Sequence, residues 1–274
     1  MRNNQPTVLR VINDSPAAKA GLQKGDVFVS VNGESMNGKT AADVAGKVRG
    51  DAGTTVKLGV RRGETKQEYA ITRAQVNDPS VRWDVVNSVG VMTISRFDEQ
   101  TGMLARRAAQ EFIDKQVKGV VLDLRDNGGG YLTAAQALAS VWLNDQVVVT
   151  EKTGGKVVDT VKTERHALLG DIKTVVLTNG NTASASEIVA GALQEYGKAT
   201  LIGEKTYGKG TVQKIVNLSD GRILKVTTAR WYTPKGKNIT KEGITPDKTI
   251  HITKDDANAG KDTQMEAAQS VLAS

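Results

Sequence analysis

Two short apolar runs, each feeding a polar loop and then a helix pattern, constrain this chain more than any other feature. Val120-Val-Leu-Asp-Leu124 reads as a buried strand. It runs into Arg125-Asp-Asn-Gly-Gly-Gly130 and then a helix from about Thr133 to Leu143. Thr174 to Thr178 is a second buried strand, feeding a helix that begins near Ser184. Repetition of strand, glycine loop and helix places the chain in the α/β (α+β) class, with helices packed on a sheet. Val89 to Ile94 adds a strand. Thr101 to Val117 adds an amphipathic helix with Leu104, Ala108, Phe112 and Ile113 toward the core. From Thr200 onward strands dominate, broken by glycine and by the turn Thr233-Pro-Lys-Gly236, until a closing helix at Gln264 to Leu272.

The first 74 residues have a different texture. Val8 to Ile12 reads as a short strand. Ser15, Pro16 and Gly21 are the cap, first-turn proline and stop of a helical turn. Val27 to Val31 is a strand closed by the Asn32-Gly33 turn signal. Thr40 to Val48 is a short helix; Val56, Leu58 and Val60 alternate as a half-buried strand, and Tyr69 and Ile71 suggest another. Ala74 to Ser80 carries Asn77-Asp-Pro79 and reads as a linker. The expectation is a β-rich domain over 1–74 and a second domain over 75–274.

Composition removes several functions. With no cysteine among 274 residues, thiol catalysis, disulfides and cysteine-ligated zinc are excluded. Aromatics at 4% argue against a base-stacking platform, so nucleic acid is not an expected partner. The net charge of +7 is spread along the chain and reads as a solvated surface. No apolar run approaches the roughly 18–20 residues that span a bilayer. The opening residues lack the apolar core of a secretory signal, so the expectation is either a cytoplasmic protein or one whose export segment precedes this chain.

Chemistry concentrates in two phrases, Asn181-Thr-Ala-Ser-Ala-Ser-Glu-Ile188 and Gly203-Glu-Lys-Thr-Tyr-Gly-Lys-Gly-Thr-Val-Gln213. Ser184 stands where a helix begins, among unpaired N–H groups able to stabilise an oxyanion. A serine there is also an ordinary N-cap. Lys209 sits in a glycine turn; a lysine with an ordinary pKa of about 10.4 serves as a base only when burial keeps it neutral. Gln213 shares a face with Lys209 if the strand is regular, and can orient its amine. Both residues are equally readable as surface. Of the two histidines, His166 has no convincing orienting partner, and His251 reads as part of a late strand near the end of the folded unit. Gly203 to Lys209 nearly satisfies a phosphate loop, but Gly210 stands where Ser or Thr must hold magnesium. Gly128-Gly-Gly130 lacks the third glycine of a dinucleotide loop, Thr133 occupying that place. No metal-ligand spacing is present.

In order and spacing these phrases resemble the C-terminal processing peptidases, also called tail-specific proteases. Ser15 to Leu22, Gly25-Asp26 and Val31-Asn-Gly33 resemble that family's PDZ domain. Leu122 to Gly130 resembles its oxyanion-loop strand, Thr182 to Glu187 its nucleophile motif, and Thr206 to Gln213 its lysine motif. Tyr232 to Gly236 and Gly243 to Asp247 resemble the strand and turn that follow.

The resemblance implies a ClpP/crotonase-like protease core behind a PDZ-like domain that starts part-way in. It also implies a serine endopeptidase that needs no cofactor. Ser184 is then the nucleophile, chosen over Ser186 by its 25-position spacing to Lys209, the general base; Gln213 is the orienting partner. The N–H groups of Ala185 and of Gly129 or Gly130 form the oxyanion hole. Substrates are proteins or peptides with unstructured C-terminal tails, held or gated by the PDZ domain and docked by strand addition near Trp231. An adaptor protein and a periplasmic or otherwise extracytoplasmic setting fit the same family. A catalytically silent peptide-binding scaffold of this fold is the alternative, and a nucleotide-binding α/β protein a more distant one.

Overall fold

The computed structural model describes residues 5–8, 10–12, 14–76, 78–217 and 222–273. They form two units, one running to Asp78 and the other starting at Pro79.

In the first unit, α1 (Pro16–Lys19) starts where the Ser15 hydroxyl accepts the Ala18 N–H at 3.1 Å and stops before Gly21 at φ +89°. β1 (Val27–Val31) turns through Asn32 and Gly33, both at positive φ, into β2 (Glu34–Ser35). A capping box between Thr40 and Asp43 starts α2 (Ala41–Val48). β3 (Thr55–Arg62) and β4 (Thr65–Thr72) complete an antiparallel sheet of order β2-β1-β3-β4. Val31, Met36, Val44, Val56, Leu58 and Ile71 are its core. Among the described residues of the strand expected over Val8 to Ile12 no strand forms; a bridge from Thr7 to Val27 lies just before it. Leu9 lies outside the described residues.

Asp26 is fully buried beneath this sheet. Its carboxylate accepts hydrogen bonds from Arg62 Nε at 2.7 Å and Nη2 at 2.8 Å, and from the Gln23 N–H at 2.8 Å. The Arg62 bonds outweigh burial and hold the carboxyl below the ordinary range. A depressed folded pKa stabilises above the ordinary value of about 3.9 and loses that contribution as pH falls through the lower folded value. Asp26→Asn is therefore expected to melt the first unit several degrees early at pH 7, with the difference closing at an acid pH below the lowered folded value. Calorimetry at both pH values checks this, and identical melting at pH 7 would refute it.

The second unit opens with the hairpin β5 (Val81–Val86) and β6 (Val89–Ile94), followed by α3 (Thr101–Asp114), β7 (Gly119–Asp123) and α4 (Leu132–Ala139). A second hairpin, β8 (Val147–Thr153) and β9 (Lys156–Lys162), precedes β10 (Thr174–Thr178), α5 (Ala185–Glu195) and β11 (Thr200–Gly203). Then come β12 (Thr211–Asn217), β13 (Ile223–Tyr232), β14 (Lys248–Thr249), α6 (Lys254–Asn258) and α7 (Thr263–Ala273). A six-stranded sheet has the order β14-β11-β10-β7-β6-β5, parallel except for the β5–β6 pair.

Alternate residues of its central strands enter opposite cores. Val120, Leu122 and Val176 join α3, α4 and α5 on one face. Val121, Val175 and Leu177 join Ala268 and Leu272 of α7 on the other. Burial on both faces explains why these strands read as unbroken apolar runs. A separate antiparallel sheet has the order β12-β13-β8-β9.

Some expectations need correction. The helix after β6 ends at Asp114, and Ile113 faces out at 38% exposure, because Ala105, Ala108, Ala109 and Phe112 already fill the contact stripe. α4 ends at Ala139 rather than Leu143. Trp231 lies on β13, paired with β12 on one side and β8 on the other, so no strand can add alongside it. The open edges of that sheet are β12 and β9.

Candidate active site

Three loops leave the C-terminal ends of three neighbouring parallel strands, β7, β10 and β11, where α/β sheets characteristically bind ligands. The first carries Gly128 to Gly130, the second ends at Ser184, and the third carries Lys209. With the sheet of β8, β12 and β13 they enclose a cleft of about 460 Å³ lined by Gly129, Gly130, Ser184, Ala185, Lys209 and Gln213, among others. All six residues singled out from the sequence thus face one space.

Ser184 has φ +58° and ψ −118°, a conformation that a side-chain-bearing residue holds at a cost of about 1–3 kcal/mol. Neighbouring bonds enforce it. The Ser184 N–H donates to Glu187 Oε2 at 2.8 Å, and the Ala183 N–H donates to the Asn127 carbonyl at 3.0 Å. The Thr182 hydroxyl donates to the Leu124 carbonyl at 2.9 Å. Ser186 is fully buried and gives its hydroxyl to the Asn127 carbonyl at 3.0 Å, so it does not face the cleft.

The glycine loop presses against this turn. A Cβ placed on Gly129, at φ +98°, would meet the Ala183 carbonyl oxygen and Ser184 Cβ at 2.8 Å and the Ala185 nitrogen at 2.9 Å. Only glycine fits. Asn127, fully buried, braces the loop. Its Nδ2 donates to the Ile94 carbonyl at 2.8 Å, and its Oδ1 accepts the Gly129 N–H at 2.9 Å. The Gly129 N–H is thereby engaged. The Gly129 carbonyl accepts the Phe97 N–H at 3.1 Å, so the trans peptide turns the Gly130 N–H away from Phe97.

Below the loop, Arg125 bridges Asp123 at 2.7 Å and Asp262 at 2.8 Å, tying the end of β7 to the start of α7. Burial opposes its charge, but hydrogen bonds to the two carboxylates leave its pKa above the ordinary value.

Glu187 is the residue whose role the sequence did not reveal. Fully buried, its Oε1 accepts the Thr206 hydroxyl and, at 2.8 Å, the Gly208 N–H. Its Oε2 accepts the Ser184 N–H and, at 3.0 Å, the Lys209 N–H. One carboxylate therefore holds both the serine turn and the lysine loop. The Lys209 carbonyl accepts Trp231 Nε1 at 2.9 Å, fixing the loop from its other side.

Gln213 lines the cleft, and a bulge between Val212 and Gln213 means the strand is not regular from Lys209 to Gln213. The histidines stand apart. His166 is exposed, and exposed His251 pairs with Glu204 at 3.1 Å; neither lines the cleft. No helix follows Lys209, as a phosphate loop would require; β12 does.

Residues 88–250 match the model of peptidase family S41, and residues 7–62 match that of a PDZ domain. The chain belongs to peptidase family S41. Among its S41 relatives, a probable CtpA-like serine protease of Staphylococcus haemolyticus is 38% identical over 91% of this chain and 51% of its own length. A counterpart in Staphylococcus epidermidis is 37% identical over 92% of this chain and 52% of its own. The chain spans about half the length of the curated relatives it matches.

Among solved S41-type structures, a photosystem II D1 C-terminal processing protease superposes with a TM-score of 0.63 at 31% identity, covering 91% of this chain and 69% of that one. A putative S41 protease from Bacteroides fragilis gives a TM-score of 0.71 over 97% of this chain and 79% of its own, at 22% identity, a likeness of fold.

Proposed function

We propose that this S41 chain is a serine endopeptidase in which Ser184 is the nucleophile, Lys209 the general base and Gln213 the group that orients the lysine amine. The observation that carries this reading is the strained Ser184 turn, facing one cleft together with Lys209 and the glycine loop. Ser184 Oγ attacks the scissile carbonyl carbon as its proton passes to the Lys209 amine. Negative charge gathers on the carbonyl oxygen, where the Ala185 N–H and a glycine-loop N–H receive it. Of the two glycines considered, Gly130 is the better donor, because Gly129 spends its N–H on Asn127. Collapse breaks the C–N bond, and the Lys209 ammonium protonates the leaving amine. Water then attacks the acyl-enzyme, giving a proton to Lys209 and releasing Ser184.

Val149, Ile188, Val212 and Trp231 supply apolar walls suited to an unfolded segment. The segment would lie against β12, the edge strand beside the cleft. A C-terminal tail is the substrate region favoured by the likeness to the D1 C-terminal processing protease, and the PDZ domain is the natural holder or gate for it. Family likeness favours a setting outside the cytoplasm. Among the described residues no helix is long and apolar enough to cross a membrane.

A serine-directed covalent probe tests the assignment. The expected result is one adduct, mapped by mass spectrometry to Ser184, with parallel loss of casein hydrolysis. An adduct elsewhere would refute Ser184, and no adduct would favour a silent scaffold. Gly129→Ala is expected to lower kcat/KM about a hundredfold, since the added methyl must displace either the loop or the serine turn. A variant with unchanged kinetics would show that the loop relaxes freely.

A further inference from the structure

Glu151 is a carboxylate without an assignment. It lies on β8 two residues from Val149, so both side chains leave the same face of the strand, and both line the cleft. Its cross-strand partners are Trp231 on β13, another cleft residue, and Asp159 on β9. Among the described residues no donor or cation reaches the Glu151 carboxylate. The adjacent Lys152 places its ammonium over the Tyr232 ring, 4.4 Å from the centroid. Like charges directly opposite on a sheet are unfavourable, yet Glu151 faces Asp159 in the strand register. Burial first, and the Asp159 charge second, push the Glu151 carboxyl above its ordinary range. A half-buried, unpaired carboxylate lining the same cleft as Ser184 is costly, and a cation arriving with the substrate relieves that cost.

We propose that Glu151 sets specificity: its carboxylate receives a lysine or arginine side chain of the substrate, forming an ion pair that exists only in the enzyme–substrate complex. This rests on the reading of the cleft as the site of peptide cleavage. A peptide segment is the ligand whose side chains would extend along these walls, and Lys and Arg are its cationic members with reach. The mostly apolar neighbours Val149, Val212 and Trp231 accommodate the aliphatic stems of such residues while the head group meets Glu151.

The test is a peptide series with Lys, Gln or Glu substituted one position at a time around the cleaved bond, read as kcat/KM. In the wild type, one position is expected to favour Lys over Glu by about tenfold or more, a preference that weakens in high salt. Glu151→Gln should flatten that ratio and Glu151→Lys should invert it. A wild-type ratio within about twofold at every position overturns the proposal without any variant. So does a Lys preference that survives in Glu151→Lys. Cleavage that persists in Ser184→Ala strikes the Ser184 assignment instead; Ser184-dependent cleavage with a flat Lys-to-Glu ratio strikes the Glu151 inference alone.

Discussion

Lys209→Ala lowers kcat/KM on an unfolded protein by about 10³- to 10⁴-fold, and Ser184→Ala by at least as much. The substitution at 209 is a clean one. The Lys209 backbone N–H, held by Glu187, and the carbonyl, held by Trp231, are untouched by the change, so the loop keeps its course. Lys209→Arg separates base from cation. Arginine keeps the positive charge but does not give up its proton, so it is expected to be as inactive as alanine. The double variant should be no slower than Ser184→Ala, because groups acting as one unit are not additive. Initial rates on casein decide the matter. An arginine variant retaining a tenth of wild-type activity would mean that Lys209 supplies charge and not basicity.

Glu187→Gln is expected to lower kcat/KM at least a hundredfold and to slow probe labelling of Ser184 in parallel. Each carboxylate oxygen accepts two hydrogen bonds, one pair from Thr206 and Gly208 and the other from Ser184 and Lys209. Glutamine turns one of those oxygens into an NH₂ group facing donors, and neither orientation of the amide avoids the conflict. Either the serine turn or the lysine loop must move, and displacements of about 1 Å near the chemistry cost about a hundredfold. Glu187→Ala abandons all four donors in a buried site and should also lower stability by several kcal/mol, at about 1–3 kcal/mol for each unsatisfied group. Kinetics are measured with circular dichroism on the same samples. A folded Glu187→Gln enzyme within tenfold of wild type would remove Glu187 from its positioning role.

Much of the arrangement was legible because it is local. Glycine loops directly following buried strands disclosed the parallel sheet, and Ser184 and Lys209 sit a few positions beyond strand ends. What escaped depends on contacts distant along the chain. Glu187 reads as one more residue of a helix's first turn, and its bonds to Thr206, Gly208 and Lys209 form only when β10 and β11 lie side by side. The β8–β9 hairpin was invisible for another reason. Val157 and Val158 on β9 are both exposed, so the strand shows no alternation between apolar and polar positions. The bulge before Gln213 leaves no mark in composition either. That Trp231's own strand is closed to strand addition was hidden, because nothing in a strand's own residues tells whether it is central or at an edge.

The placement of the three loops on adjacent strands has a consequence for how such a site can change. Neighbouring strands are spaced by about 4.8 Å, and β7, β10 and β11 are consecutive in the sheet. The sheet therefore acts as a fixed gauge: the distance between the supports of the proposed nucleophile and base is stepped in whole strands and cannot drift continuously. Hairpins such as β8–β9 are free to lengthen or shrink outside that gauge. New substrate ranges can thus be acquired at the cleft wall while the reaction distance stays as the sheet cuts it.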